Sequence, residues 1–217
     1  MQLPVTDYNK ALVLQHRLVA SRQKKPLKSD LVLLVEHPAV FTLGRRGGLS
    51  NLIVSPDYLK KKGIAVVPAE RGGDITFHDI GQLIAYPIVN LRANRMSVTD
   101  YVSALEEVMI GAAAKFGVTA VRRDLNRGVW VGVRKLGSIG IAIRHGITFH
   151  GLAFNVNLSL TPFDWIRPCG LHNVRVTSLA RELSQSVSME YVREILIKQF
   201  ESVFKIQLKV TTLESLP

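Results

Sequence analysis

Between residues 118 and 156 four short apolar runs follow one another, at 118–121, 129–133, 139–143 and 152–156, parted by glycine-marked turns. Runs this short, rich in Val and Ile, read as strands, because an amphipathic helix needs a longer stretch in step. The helical patterns stand apart from them. Residues 8–20 have helical spacing with Asp7 as a cap, and Ser55-Pro56 opens a brief helix that Gly63 closes. Ser97 with Asp100 forms a capping box for a helix reaching about Phe116, with Gly117 beyond it. Residues 177–183 and 189–204 are also helical by pattern. Further strands are expected at 31–35, 64–67, 75–78, 83–89 and 206–210, with Pro87 pushing the 83–89 run towards an edge or a strand end. Strands clustered between separated helices predict an α+β (mixed α/β) protein. A length of 217 residues fits a single domain over 1–217.

Composition narrows the setting. Hydrophobic content of 47% and charged content of 21% are those of a soluble globule. No apolar run approaches the roughly 20 residues of a membrane span. The opening Met1-Gln2-Leu3-Pro4 lacks the layout of a secretory signal, and one cysteine suits a reducing, cytoplasmic setting. The net charge of +11 reads either as a generally basic, soluble surface or as the mark of a partner of opposite sign, nucleic acid or an acidic protein. The basic clusters (Lys24-Lys25, Arg45-Arg46, Lys60-Lys61-Lys62, Arg122-Arg123) are short and carry no aromatic stripe. That favours an acidic protein over nucleic acid.

Cys169 is the single cysteine, set in Pro168-Cys169-Gly170, so it cannot form an internal disulfide. It is either a small buried hydrophobe or a nucleophile. The flanking Pro and Gly suit a presented side chain, and a thiol acts only as its thiolate. At pH 7 an ordinary thiol is only about 3% ionised, so a nearby cation is needed. Lys135, in the turn between two apolar runs over 131–140, is a candidate, although a lysine in a turn is usually solvated. Arg71-Gly72-Gly73-Asp74-Ile75-Thr76-Phe77-His78 is a second cluster: its glycines allow close approach of a ligand, although such a turn is often a plain hairpin. It lacks the spacing of a phosphate-binding loop. The histidines, His78 and His150 included, show no zinc pattern, so no metal is expected, and no Gly-x-Ser-x-Gly elbow occurs.

In order, Arg71-Gly72-Gly73 with Thr76 and His78, Gly81-Gln82-Leu83, Tyr86-Pro87 and Gly128-Val129-Trp130-Val131 are followed by residues 135–140, His150-Gly151-Leu152-Ala153 with Asn155, and Pro168-Cys169-Gly170. Together they resemble the lipoyl (octanoyl) transferases of lipoate biosynthesis, most strongly over residues 31–183. The resemblance implies the fold of biotin- and lipoate-protein ligase catalytic domains, a mixed β-sheet flanked by helices with its site in a crevice. It implies transfer of octanoyl from acyl carrier protein to a lysine of lipoyl domains, namely those of 2-oxoacid dehydrogenase E2 subunits and the glycine cleavage H protein. Cys169 would be the acyl-thioester nucleophile and Lys135 would lower its pKa. Arg71, Gly72, Gly73, Asp74, Ile75, Thr76, Phe77 and His78, with Ser138, Ile139, Gly140, Gly151, Leu152 and Ala153, would line the octanoyl pocket.

Backbone N–H groups near Gly170 or Gly72-Gly73 are candidates for holding the oxyanion, and His78 and His150 for shaping the pocket. Arg45, Arg46 and Lys60–Lys62 would steer acidic partners. Exchange between thioesters is nearly thermoneutral and amide formation runs downhill, so no cofactor is implied. One departure stands out: where the family usually reads His-Gly-Pro-Gly-Gln, this chain has His78-Asp79-Ile80-Gly81-Gln82, which bears on acyl preference and turn geometry. A His-Asp pair there is also reminiscent of ATP-dependent lipoate-protein ligases, which with biotin-protein ligases are the alternative reading. Those enzymes need no cysteine, so Pro168-Cys169-Gly170 with Lys135-Leu136-Gly137 favours transfer.

Overall fold

The seven residues of Gln82–Ile88 are all buried, which requires cover on both faces of the strand. The computed structural model, which describes residues 1–24, 29–123, 126–167 and 174–212, shows how that cover arises. In chain order the elements are α1 (Tyr8–Lys24), β1 (Leu31–Val35), β2 (Val40–Leu43), α2 (Pro56–Lys61), β3 (Ala65–Pro68), β4 (Ile75–His78) and β5 (Gln82–Ile88). Then come α3 (Val98–Ala114), β6 (Gly128–Val131), β7 (Arg134–Arg144), β8 (Ile147–Asn155), β9 (Arg175–Val176), α4 (Leu179–Leu183) and α5 (Met189–Phe204).

The larger sheet has the order β1-β5-β8-β7-β6, with β9 added in parallel beside β7. Side chains alternate across it. Leu33, Val35, Ile84, Tyr86 and Ile88 pack with Ala11, Leu18 and Val19 of α1. Leu34, Leu83 and Ala85 pack on the other face with Tyr101, Leu105 and Met109 of α3 and Leu196 and Phe200 of α5. The helices fall where the sequence places them, with local reasons. Lys10 N donates to Asp7 Oδ1 at the start of α1, and Asp100 N to Ser97 Oγ at the start of α3. Each such cap is worth about 1 kcal/mol.

A smaller sheet, β3-β2-β4, holds the second core of Phe41, Leu59, Ile75, Phe77, Phe163 and Ile166. Its central strand β2 is a strand the sequence reading lacked. It also corrects the hairpin view of Arg71–His78: β3 and β4 do not pair with each other, since β2 lies between them.

One further expectation holds and two are revised. Pro87 lies within β5, flanked by β1 on one side and β8 on the other. It is tolerated near the strand's end, where the ladder to β8 stops at Ala85↔Leu152 and His150 takes a φ of +55°. Residues 118–121 form only an isolated bridge, Val121↔Trp130. Residues 206–210 are not a strand; Ile206 N and Leu208 N are instead held by Glu201 O and Glu201 Oε1. Among the described residues no helix is long and apolar enough to cross a membrane.

Candidate active site

A cleft of about 570 Å³ runs between the segment 71–78 and strands β7 and β8. Gly72 N donates to Ile141 O at 2.8 Å, which lays this segment across β7. Gly140 and Gly151 face each other across the β7–β8 ladder, and both are glycine for want of space. A Cβ on Gly140 would lie 2.9 Å from Arg71 Cδ, and one on Gly151 would lie 2.1 Å from Ala85 O.

The inner wall is a hydrogen-bonded chain whose proton positions follow from its end. Gln82 Nε2 donates to Asn155 Oδ1 at 2.9 Å, so Gln82 Oε1 accepts from His78 Nδ1 at 2.7 Å. His78 Nε2 is then an acceptor and takes the Thr42 hydroxyl at 3.1 Å. The same hydroxyl oxygen accepts from Arg71 Nε and Nη2, at 3.2 and 2.8 Å. His78 is therefore neutral, and burial, helped by the nearby His37 and Arg71, pushes its pKa down to about 3. His150 is pushed down to about 3 by burial and by Arg71. Tyr8, stacked on His78 with centroids 6.0 Å apart, is raised by burial to about 12. These groups present uncharged rings to the cleft, and neither histidine is suited to act as a base near neutral pH.

The opposite wall carries the charge. Lys135 is only 5% exposed and is the one buried lysine among the described residues. It lies inside β7, directly across from Trp130, and the turn itself is Gly132-Val133, which corrects its placement in the turn. Nζ donates to Asn126 Oδ1 at 2.9 Å and sits 5.4 Å from the centre of the Trp130 ring. Gly128, at φ +126°, lets the lysine stem pass: a Cβ there would be 2.9 Å from Lys135 Cε and 2.3 Å from Gly137 O. Glu106 is buried beside them. Its Oε1 accepts from Gly128 N at 2.9 Å, and its Oε2 lies 3.3 Å from Arg122 Nε and 3.6 Å from Arg127 Nη1.

Of the residues expected at the acyl pocket, Arg71, Gly72, Gly73, Asp74, Ile75, Thr76 and His78 line the cleft, as do Ser138, Ile139, Gly140, Gly151, Leu152 and Ala153. Phe77 does not. Strand alternation turns it into the smaller core, 4.8 Å from Phe41 and 5.8 Å from Phe163 between ring centres. Gly72 N–H is already bonded to Ile141 O, which argues against it as an oxyanion donor. Cys169, with Pro168 and Gly170, lies outside the described residues. Val176, seven positions later, lines the cleft and is paired with Lys135. Arg46 lines the cleft as well, whereas Arg45 and Lys60–Lys62 are exposed and away from it.

The Asp79-Ile80 departure leaves the turn intact. Gln82 N donates to Asp79 O at 3.1 Å, and Gly81 has φ +89°, as the third position of a type II turn requires. Ile there serves as well as Pro, and its side chain is 57% exposed. Thr42, Glu106 and Asn126 are site residues that the sequence reading missed. Glu106 carried a signal: it falls in step with the buried Val102, Met109 and Ala113 of α3, an apolar stripe where a carboxylate needs a partner.

The chain is 50% identical over 206 residues to the octanoyltransferase of Desulfotalea psychrophila, covering 94% of this chain and 92% of that protein. It is 44% identical over 205 residues to that of Syntrophobacter fumaroxidans, covering 94% and 90%. Among solved structures, a lipoate-protein ligase A bound with ATP matches with a TM-score of 0.79 at 20% identity, covering 98% of this chain and 87% of that one. At that identity the likeness speaks for the fold. Residues 7–201 match the model of the lipoyl protein ligase A/B catalytic domain. The chain belongs to that family.

Proposed function

We propose that this chain is an octanoyltransferase, one catalytic domain that moves an octanoyl group from acyl carrier protein onto a lysine of lipoyl domains. The observation that carries the reading is the name borne by relatives spanning nearly the whole chain at 44–50% identity. The cleft supports it physically. Its inner wall ties His78 into a hydrogen-bonded chain and offers the neutral rings of Tyr8, His78 and His150 beside Arg71, while Lys135 supplies a buried cation on the facing wall.

In this reading the Cys169 thiolate attacks the carbonyl carbon of the octanoyl thioester. The phosphopantetheine thiolate leaves, giving octanoyl-Cys169. The amine of the acceptor lysine then attacks the same carbon; the amide forms, and the amine's proton leaves with the cysteine as thiol. Lys135 keeps the thiol ionised for the first step. Acceptors of this class include lipoyl domains of 2-oxoacid dehydrogenase E2 subunits and the glycine cleavage H protein, and a cytoplasmic setting fits the single cysteine. Arg46 at the cleft mouth steers acidic carriers towards it.

The test is the intact mass of the protein after mixing with octanoyl-acyl carrier protein, with and without ATP. An octanoyl adduct that needs no ATP, is cleaved by hydroxylamine and is lost in Cys169→Ser is the expected result. Acyl-adenylate made from free acid and ATP, even in Cys169→Ala, would make the chain a ligase.

A further inference from the structure

Lys135 sits in a seat built by Asn126, which lies outside the motifs that point to acyl transfer, and by Trp130, which lies within one of them. Trp130 donates Nε1 to Asn126 O at 3.3 Å, fixing the backbone of Asn126. Asn126 Oδ1 accepts from Lys135 Nζ at 2.9 Å, and the Trp130 ring lies 5.4 Å from the same nitrogen. The three residues close a loop in which a side-chain carbonyl dipole and an aromatic face both favour the ammonium form. The strands are placed for this. Trp130 and Lys135 are cross-strand partners, and the register shifts between Val129 and Trp130.

The charges around the seat leave it something to do. Glu106 of α3 lies behind Gly128 and is held by Arg122 and Arg127. Arg123 lies 5.7 Å from the Trp130 ring, and Arg71 lines the cleft beyond. Among these charges Asn126 and Trp130 hold the Lys135 ammonium at one place on the cleft wall.

From this geometry we infer that Asn126 and Trp130 are positioning residues, which fix the Lys135 ammonium where it lowers the pKa of the nucleophile. The inference rests on the transfer reading, and the single cysteine makes it testable without ambiguity. Iodoacetamide alkylation, followed by intact mass from pH 5 to 10, reports on Cys169 alone. In Lys135→Met the midpoint rises to about 8.5, the value of an ordinary thiol. In Asn126→Ala it rises by about 0.5 to 1 pH unit, as loss of one hydrogen bond to a charged group implies. Trp130→Phe, which keeps a weaker aromatic face, rises less than Trp130→Leu. Acyl transfer to Asn126→Ala is correspondingly slow at pH 6 and approaches the parent rate at pH 9, which a merely structural defect would not produce.

The outcomes separate. If Lys135→Met shifts the midpoint while Asn126→Ala and Trp130→Leu leave it where it was, the positioning role is wrong and the transfer reading stands. If Lys135→Met itself shifts nothing, the lysine–cysteine pair fails and the seat loses its purpose with it. Asn126 is a half-buried loop residue, so its variant keeps the question answerable even where Trp130→Leu unfolds the protein.

Discussion

On one side of the cleft, Arg71, Thr42, His78, Gln82 and Asn155 form a buried chain in which each polar group is answered by the next. On the other, Lys135 and Glu106 lie beneath a rim where Arg122 and Arg127 have side chains 44% and 58% exposed. The first wall uses its polarity internally: the Arg71 guanidinium is spent on Thr42, and the rings beside it are neutral. The second keeps net charge and access to solvent. Changes to the first should therefore act on stability and fit, and changes to the second on rate and its dependence on pH or salt.

The sharpest break in this contrast comes from matching substitutions on each side. Lys135→Met should slow formation of the acyl adduct at pH 7 by about tenfold or more, with recovery at high pH, since each unit of rise in thiol pKa costs about tenfold in thiolate. Arg71→Met should do the reverse. It removes the bonds to the Thr42 hydroxyl and the 2.6 Å bond to Thr42 O, leaving buried acceptors unmet. A loss of about 2–4 kcal/mol in urea unfolding is expected. Equal loss of stability in both variants would erase the distinction between the walls.

An effect of similar size, again confined to the inner wall, is acid sensitivity. His78 and His150 are neutral in the fold with pKa values of about 3, against an ordinary value of 6.5. Below pH 6.5 the unfolded chain takes up protons that the folded chain refuses. The stability these groups allow is thus whole above 6.5 and falls as pH drops towards 3. At pH 5 the loss is on the order of 2 kcal/mol for each histidine. Carboxylates scarcely titrate between pH 7 and 5, so urea midpoints at these two values report on the buried histidines, His37 included, since burial lowers its pKa as well. His150→Gln should flatten part of the slope, and identical midpoints in the parent protein would contradict neutral burial.

The same two walls mark how far the sequence could be read. The expected bounds of β1, β4 and α5 coincide with the structure because their signals are local: a short apolar, strand-like run in the first two and helical patterning in the third. Thr42 was out of reach because its role depends on β2 lying between β3 and β4, a pairing between residues far apart in the chain. Phe77 was placed on the wrong side for a related reason. Motif membership says which segment forms a wall, whereas strand alternation decides which of its side chains face inward. Lys135 was legible as a residue of interest, but its burial is set by the Trp130 ring and the Asn126 carbonyl across the strand, and a turn-like context suggested solvent instead.

The smallest expected effect belongs to the outermost charge. Arg46 is exposed on the loop after β2 and reaches the cleft, while no carboxylate pairs with it among the described residues. Its backbone N bonds to Gly73 O at 3.0 Å, so the loop keeps its shape without the side chain. Arg46→Ala should leave thermal stability and the rate of acyl transfer from a small thioester, such as octanoyl-pantetheine, unchanged. With octanoyl-acyl carrier protein, association should slow by about two- to fivefold at low salt, the range expected when one rim charge is lost. The difference should shrink as salt rises, because at 1 M the screening length falls to about 3 Å. A defect that persists at high salt, or that appears equally with the small thioester, would place Arg46 in the chemistry of the cleft and blur the line between rim and wall.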